Sequence, residues 1–307
     1  METNISQIEE YKQRYESNRQ KIIALQSKIA DLDTEFETES ERCNKAINAN
    51  TAGIRYARRI QSAAFPQREI GNVFDDYFIY TKPHSIVTGD FYKAVAIKHH
   101  KIFALADCAG HGVPGAYLTM LGLSALKESI ARRFYDEDIN LADILDEMRR
   151  FVKSSLRSDN EASNAVGIND GINDGINLSL CVFSNGGDTV RFAGANQSAY
   201  LYSDGQLATF QGDRMPIGWS FKGDSQFSEI LIPAKKGDML YFVTNSLQNQ
   251  FGGPNNAKFS SKRLLAMLEQ IAPLPTAEQK QTVSDIVENW VKGYEHIDDL
   301  TLTGVRV

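Results

Sequence analysis

With 307 residues, 42% of them hydrophobic and 23% charged, the chain has room for one large globular domain plus an accessory segment. A formal net charge of -6 excludes a broad basic field, so nucleic acid and anionic membranes are not expected partners, although Arg55, Arg58 and Arg59 form a local basic patch. The three cysteines, Cys43, Cys108 and Cys181, are far apart and form no CxxC pair, which excludes a disulfide framework or zinc ribbon and fits a reducing compartment. The polar start "METNISQIEE" and the lack of any apolar run of about 18 residues predict a cytoplasmic chain with no membrane insertion.

Residues 1–60 contain no Pro and one Gly and are rich in Glu, Lys, Gln and Arg. Ile8, Tyr15, Ile22, Ile29, Phe36 and Cys43 recur as heptad a positions, and Tyr11, Leu25, Leu32 and Ala46 as d positions, with Asn18 and Glu39 interrupting the d row. A long helix with one narrow apolar stripe needs a partner for that stripe. The expected partner is a second copy, in a coiled-coil homodimer; a single helix packed on its own domain is the alternative. The helical pattern runs on towards Pro66 without a flexible linker, Ile54, Ala57, Ile60, Gln61 and Ala64 sharing one face. The expected division is a coiled-coil helix at 1–53, a connecting helix and linker at 54–72, and a globular domain at 73–307.

From residue 73 the pattern changes. "DYFIYTK", "DFYKAVAIK" and "KIFALAD" read as strands; "GAYLTMLGLSALKESIARRF" and "LADILDEMRRFVKSSL" read as a pair of helices. "INLSLCVF", "DTVRFAGAN", "SAYLYS" and "QLATFQ" form a meander parted by the turns "SNGGD" and "SDG". "FSEILI" and "DMLYFVT" follow, then helices near 260–271 and 276–293 and a last strand, "LTLTGVRV". Clustered strands with helices in adjacent pairs predict an α+β fold with a largely antiparallel sheet. The repeat "GINDGINDGIN" at 167–177 lacks the spacing of a twelve-residue calcium loop and is expected to be a Gly/Asn/Asp loop.

Three segments bring carboxylates to strand ends. Asp90 lies in "IVTGDFY", Asp107 ends the apolar strand of "ALADCAGHGVPGAYLTML", and Asp298 and Asp299 open the last strand in "HIDDLTL". Gly110, His111 and Gly112 form a tight turn before a helix with Pro114 in its first turn. Carboxylates at several strand ends are the donor set of a hard cation such as Mg²⁺ or Mn²⁺, whereas a lone strand-end Asp is more often a turn or cap residue. His84, His99, His100 and His296 show no ligand spacing and read as surface or capping residues, and the Cys108 thiol as packing.

"TGDFY", "ADCAGHGVPGAY", "FAGANQSAYLY", "GDRMPIG", "KGDMLYFVT", "QFGGP" and "IDDLTLTGVRV", in that order, resemble the SpoIIE-type branch of the PPM (protein phosphatase 2C-like) metal-dependent protein phosphatases, over residues 54–307. The resemblance implies an α-β-β-α sandwich of two antiparallel sheets flanked by helix pairs. It implies two Mn²⁺ or Mg²⁺ ions bridged by a water that attacks phosphoserine or phosphothreonine with no covalent enzyme intermediate. It also implies signalling partners, such as anti-sigma-factor antagonists, and control by an N-terminal helix or dimer. By position, Asp107 resembles the aspartate that bridges both metals, the Cys108 carbonyl its backbone neighbour, Asp90 the first-metal carboxylate and Asp298 the second-metal carboxylate, with Asp299 beside it. The catalytic set is then Asp90, Asp107 and Asp298, and the metal set adds Cys108, Asn245 and Asp299.

The chain departs from that pattern at three amides. It reads Thr244, Asn245, Ser246 where the family reads Ser-Asp-Gly; Asn249, Gln250 where it reads Asp-Gln, at an Asp associated with a further, weaker metal; and Asn177 where an Asp is common. An amide oxygen can touch a cation but brings no charge, and charge count governs affinity at hard-cation sites. The preferred reading is a pseudophosphatase or very weak phosphatase that acts by binding a phosphoprotein or other signalling partner, with one ion or none. The alternatives are an active Mn²⁺/Mg²⁺-dependent phosphatase regulated by its coiled coil, and a dimeric coiled-coil scaffold.

Overall fold

A computed structural model describes residues 2–64, 68–136, 138–156, 175–184, 188–219 and 225–307. Most of the "GINDGIN" repeat, Pro66 and the centre of the "SNGGD" turn lie outside the described residues. The chain divides into two units, Met1–Tyr56 and Ala57–Val307.

The first unit is helical throughout its described residues and belongs to α1 (Glu2–Ala64). Its heptad residues Ile22, Leu25, Ile29, Leu32 and Phe36 are each more than half exposed. Among the described residues no helix is long and apolar enough to cross a membrane.

The second unit is the α-β-β-α sandwich. One sheet runs β1 (Tyr77–Lys82), β13 (Leu300–Arg306), β10 (Met239–Val243), β6 (Ser198–Ser203) and β7 (Gln206–Gln211) in spatial order, every pairing antiparallel. The other runs β2 (Asp90–Ile97), β3 (His100–Cys108), β4 (Gly175–Ser184), β5 (Val190–Ala195) and β9 (Ile230–Ile232), with β8 (Ile217–Gly218) on the end of β4. A short hairpin joins β11 (Phe251–Gly252) to β12 (Ala257–Lys258). The helices are α2 (Arg68–Gly71), α3 (Gly112–Ala131), α4 (Leu141–Ser155), α5 (Asn245–Asn249), α6 (Ser260–Ile271) and α7 (Thr276–Val291).

Strand alternation sorts the core into three layers. On β3, Ile102, Ala104, Ala106 and Cys108 pack with Leu123, Leu126, Ile144 and Met148 of α3 and α4. The intervening Phe103 and Leu105 turn inwards to meet Ile79, Leu201, Leu240 and Phe242 of the facing sheet. On β10, Met239, Tyr241 and Val243 pack with Leu264, Leu268, Val283 and Val287 of α6 and α7. The central strands, β3, β4 and β10 among them, are buried on both faces, which is why they read as continuous apolar runs rather than as alternation. The stretch after β10 makes a helical turn at α5.

Candidate functional site

The same alternation places the acidic residues. Phe91 and Ala106 face the outer helices, so their neighbours Asp90 and Asp107 face the space between the sheets. Asp90 opposes Asp107 across β2 and β3, and Asp107 opposes Asn177 across β3 and β4. Leu300 and Leu302 face α6 and α7, so Asp299 and Thr301 reach inwards from the other sheet. Asp90, Asp107 and Asp299 are 4%, 8% and 2% exposed, and Asp298 is half-buried.

Each carboxylate has protein donors. Thr301 Oγ1 donates to Asp90 Oδ2 at 2.6 Å. Asp107 accepts from the backbone N–H of Asn245 and the side chain of Asn177. The backbone N–H groups of His84 and Gly89 donate to the two oxygens of Asp299 at 2.7 and 2.6 Å. Asp299 thereby anchors residues 84–89. Gly89 has to be glycine, because a Cβ there would lie 2.8 Å from the Gly110 carbonyl. Gly110 and Gly112 take φ of 82° and 68°, which turn the chain into α3 and leave the His111 ring against that of His84, tilted by 40° with centroids 4.2 Å apart.

Burial pushes Asp107 up to about 7, with Asp298 adding to the shift, and pushes Asp90 well above the usual carboxylate range, with Asp107 as the next cause. Asp298 is raised too, mainly by burial, while His111 and His84 pull it down. A carboxylate with a raised folded pKa contributes stability that is complete below its unfolded value, near 3.9, and is lost as pH rises through its folded value. The cation-free chain should therefore lose stability between pH 5 and pH 8. His296, lowered mainly by burial, acts in the opposite sense. Urea unfolding in EDTA of native and Asp107→Asn chains isolates the carboxylate: the native chain should lose more stability over that interval, and equal losses would contradict the assignment.

The amides form a continuous chain. Asn196 Nδ2 donates to Asn177 Oδ1 at 3.1 Å, Asn245 Nδ2 to the Asn196 carbonyl at 3.4 Å, and Asn249 Nδ2 to the Asn245 carbonyl at 3.2 Å. Lys258 Nζ then donates to Asn249 Oδ1 at 3.1 Å. An aspartate could not donate at 177, 245 or 249, so the amides suit each other. Sequence reading singled out Asn177, Asn245 and Asn249 but missed Asn196 and Lys258, which lie on a turn and a hairpin with no local signal.

It gave no structural role to Gln61, Gln250 or Thr301. Gln61, 2% exposed, donates from Nε2 to the Thr88 carbonyl at 2.6 Å and accepts from the Thr88 N–H at 3.0 Å, clamping the residue two before Asp90. Its signal was a glutamine on the apolar face of a helix. Gln61→Ala should cost about 2–4 kcal/mol by leaving two buried backbone groups unpaired, measurable by urea unfolding; a loss under about 1 kcal/mol would contradict the clamp. Gln250, fully buried, donates to the Phe251 and Glu295 carbonyls and accepts from the Ile297 N–H, tying the end of α5 to the segment before Asp298.

Among the described residues no three His, Cys, Asp or Glu side chains are gathered as ready ligands of one ion. Asp107 and Asp298 nevertheless lie close enough to Asp90 to raise its pKa, and Asp298 lies close enough to Asp107 to raise that of Asp107, and that unfavourable charge is what a hard cation would relieve. The donor set fits one such ion. It offers less to a second, since Asn245 brings no charge and Lys258 puts a cation beside Asn249.

No curated protein matches the chain. Among solved structures, the SiaA-PP2C domain of Pseudomonas aeruginosa is similar at 29% identity and a TM-score of 0.74, covering 85% of this chain and 98% of that one. The PP2C phosphatase domain of SpoIIE from Bacillus subtilis, with a fragment of its regulatory domain, is similar at 16% identity and a TM-score of 0.58, covering 75% and 61%. RsbX in complex with magnesium is similar at 15% identity and a TM-score of 0.50, covering 75% and 94%. The family model described as stage II sporulation protein E (SpoIIE) matches residues 98–307, more than half of the chain, and with the sandwich and its interior aspartates it places the chain in the SpoIIE family of PP2C-type phosphatase-fold proteins.

Proposed function

We propose that this protein is a signalling module that keeps the phosphatase fold to bind a protein partner, takes up at most one divalent cation tightly, and hydrolyses phosphoserine or phosphothreonine very slowly or not at all. The observation that carries this reading is the chain of hydrogen bonds from Asp107 through Asn177, Asn196, Asn245 and Asn249 to Lys258. Asp90, Asp107 and Asp298 would hold a Mn²⁺ or Mg²⁺ ion, with the Cys108 carbonyl and Asn245 as neutral oxygens and Asp299 positioning the loop. Bound there, the cation would draw phosphoryl charge and lower the pKa of a coordinated water. Asn245 adds no charge to a second position, and two-metal hydrolysis needs both. Isothermal titration of the cation-free chain with Mn²⁺ should give at most one tight site; two tight sites would contradict the proposal.

The convergence of Asp90, Asp107 and Asp298 favours a second reading, a working Mn²⁺/Mg²⁺-dependent phosphatase, which requires a native rate that Asp107→Ala abolishes. For assembly, we propose a homodimer through residues 1–53, supported by the exposed stripe of Ile22, Leu25, Ile29, Leu32 and Phe36. Removal of residues 1–50 should leave a monomer by light scattering, and a persisting dimer would contradict this role. A cytoplasmic location and a phosphoprotein as the partner complete the proposal.

A further inference from the structure

α6 and α7 cover their sheet through Leu264, Leu268, Val283 and Val287, and between their outward sides lies a groove of about 470 Å³. Arg263, Ala266 and Gln270 line it from α6, and Ile286 and Trp290 from α7, with the buried Met267 beneath them and Pro254 of the β11–β12 turn beside Trp290. Arg263, Ala266 and Gln270 are exposed, and Ile286 and Trp290 are half-buried, so the groove is open to a partner.

Trp290 is fixed before anything binds. Its Nε1 donates to the Gln250 carbonyl at 3.2 Å, and its carbonyl accepts from the Gly253 N–H at 2.8 Å. The Phe259 ring meets it edge-on at 5.6 Å, and the Arg263 guanidinium lies over it at 4.5 Å. A Cβ on Gly253, where φ is 67°, would come within 2.5 Å of the ring. A preorganised Trp beside an Arg loses little freedom when a partner packs on it, and such pairs are common anchors of interfaces.

The end of the groove at Arg263 is basic, in a chain of net charge -6. Arg263 donates to the Lys258 and Phe259 carbonyls and Lys258 to Asn249 Oδ1; among the described residues neither side chain bonds a carboxylate. Lys262 adds a third exposed cation. Glu269 lies about 9 Å further along α6. Glu288 faces the other side of α7, where it lines a separate groove against β1.

We propose that the groove between α6 and α7 binds an amphipathic helix of a protein partner, which sets a large apolar side chain against Trp290 and Ile286 and an Asp or Glu beside Arg263 and Lys258. The proposal rests on the reading of the chain as a partner-binding module. Both walls are helices, whose interior backbone groups are already bonded, so neither offers an edge to an extended peptide. Arg263, Ala266 and Gln270 span about 10 Å, two turns of a docked helix, and the small Ala266 lets that helix approach closely. The bond from Lys258 to Asn249 sets the basic end beside the amide chain, so a partner docked here lies next to the carboxylate site.

The test uses the full chain carrying Trp219→Phe, which leaves Trp290 as its single tryptophan. It is titrated in EDTA with peptides selected from a displayed library of amphipathic helices of about 14 residues, randomised on the apolar face and its flanks. Recovered binders should carry an Asp or Glu one turn from a large apolar residue and should shift the Trp290 emission. They should lose about tenfold or more in affinity to Arg263→Glu, and about tenfold to Ala266→Gln, which keeps a good helix former but fills the groove. Lys280→Glu, on the far side of α7, should leave them unchanged. Three results would overturn the proposal: no binder that moves Trp290 emission, binders indifferent to both groove variants, or a Trp290 emission that changes with protein concentration in the absence of peptide, which would assign the groove to a second copy of the chain. Because binding is read without a cation, tight uptake of two Mn²⁺ ions would end the pseudophosphatase reading and leave this result standing, whereas failure to recover a binder would leave the Mn²⁺ titration unaffected.

Discussion

Asp299→Ala is expected to lower the unfolding free energy by about 2–4 kcal/mol, the cost of leaving the buried Gly89 N–H and the part-buried His84 N–H without a charged acceptor. The carboxylate accepts at 2.7 Å from the His84 N–H and at 2.6 Å from the Gly89 N–H, and the side chain is 2% exposed. Its loss frees residues 84–89 from the start of β13. Some of the cost is recovered, because Asp299 also raises the pKa of Asp90 and Asp107, and that repulsion goes with it. Asp299→Asn keeps one acceptor oxygen and should cost roughly half as much. Urea unfolding in EDTA measures both, and a loss below about 1 kcal/mol for the alanine variant would show that Asp299 does not hold the loop.

The second large effect concerns cation affinity. Asp107→Ala should weaken Mn²⁺ binding by about 100-fold or more, since even residues that only support a ligand are worth about 10–100-fold. Asn245→Asp should change it in the opposite sense and add a second, weaker binding event. The gain is limited by geometry: an aspartate at 245 cannot donate to the Asn196 carbonyl, and it joins carboxylates that already repel one another. Calorimetric titration of the three chains separates these effects. Native and Asp107→Ala chains with equal Mn²⁺ affinity would remove Asp107 from the site.

The fold was legible because its central strands are buried on both faces and its helices are periodic. "KIFALAD" read as a strand, and the helix pairs announced two covered sheets. Asp90, Asp107 and the Asp298–Asp299 pair were legible as strand-end carboxylates. What separates Asp298 from Asp299 was not legible, since it depends on two backbone N–H groups more than 200 residues away. The helical turn at Asn245–Asn249 was hidden because amides and serine favour turns and loops as strongly as short helices. The amide chain needed tertiary contacts between β4, the turn at Asn196, α5 and the β11–β12 hairpin. Gln61 showed only as a polar residue on an apolar helix face, with nothing to say that its partner is the backbone of Thr88.

On the proposed function, amides stand where two-metal hydrolysis needs charge. Its most direct test is Mn²⁺-dependent hydrolysis of p-nitrophenyl phosphate and a phosphoserine peptide by the native, Asp107→Ala and Asn245→Asp chains, side by side. The expected result is no native rate above that of Asp107→Ala, and a rate gained in Asn245→Asp. A native rate that vanishes in Asp107→Ala would contradict it and make the amide-bearing site a working phosphatase.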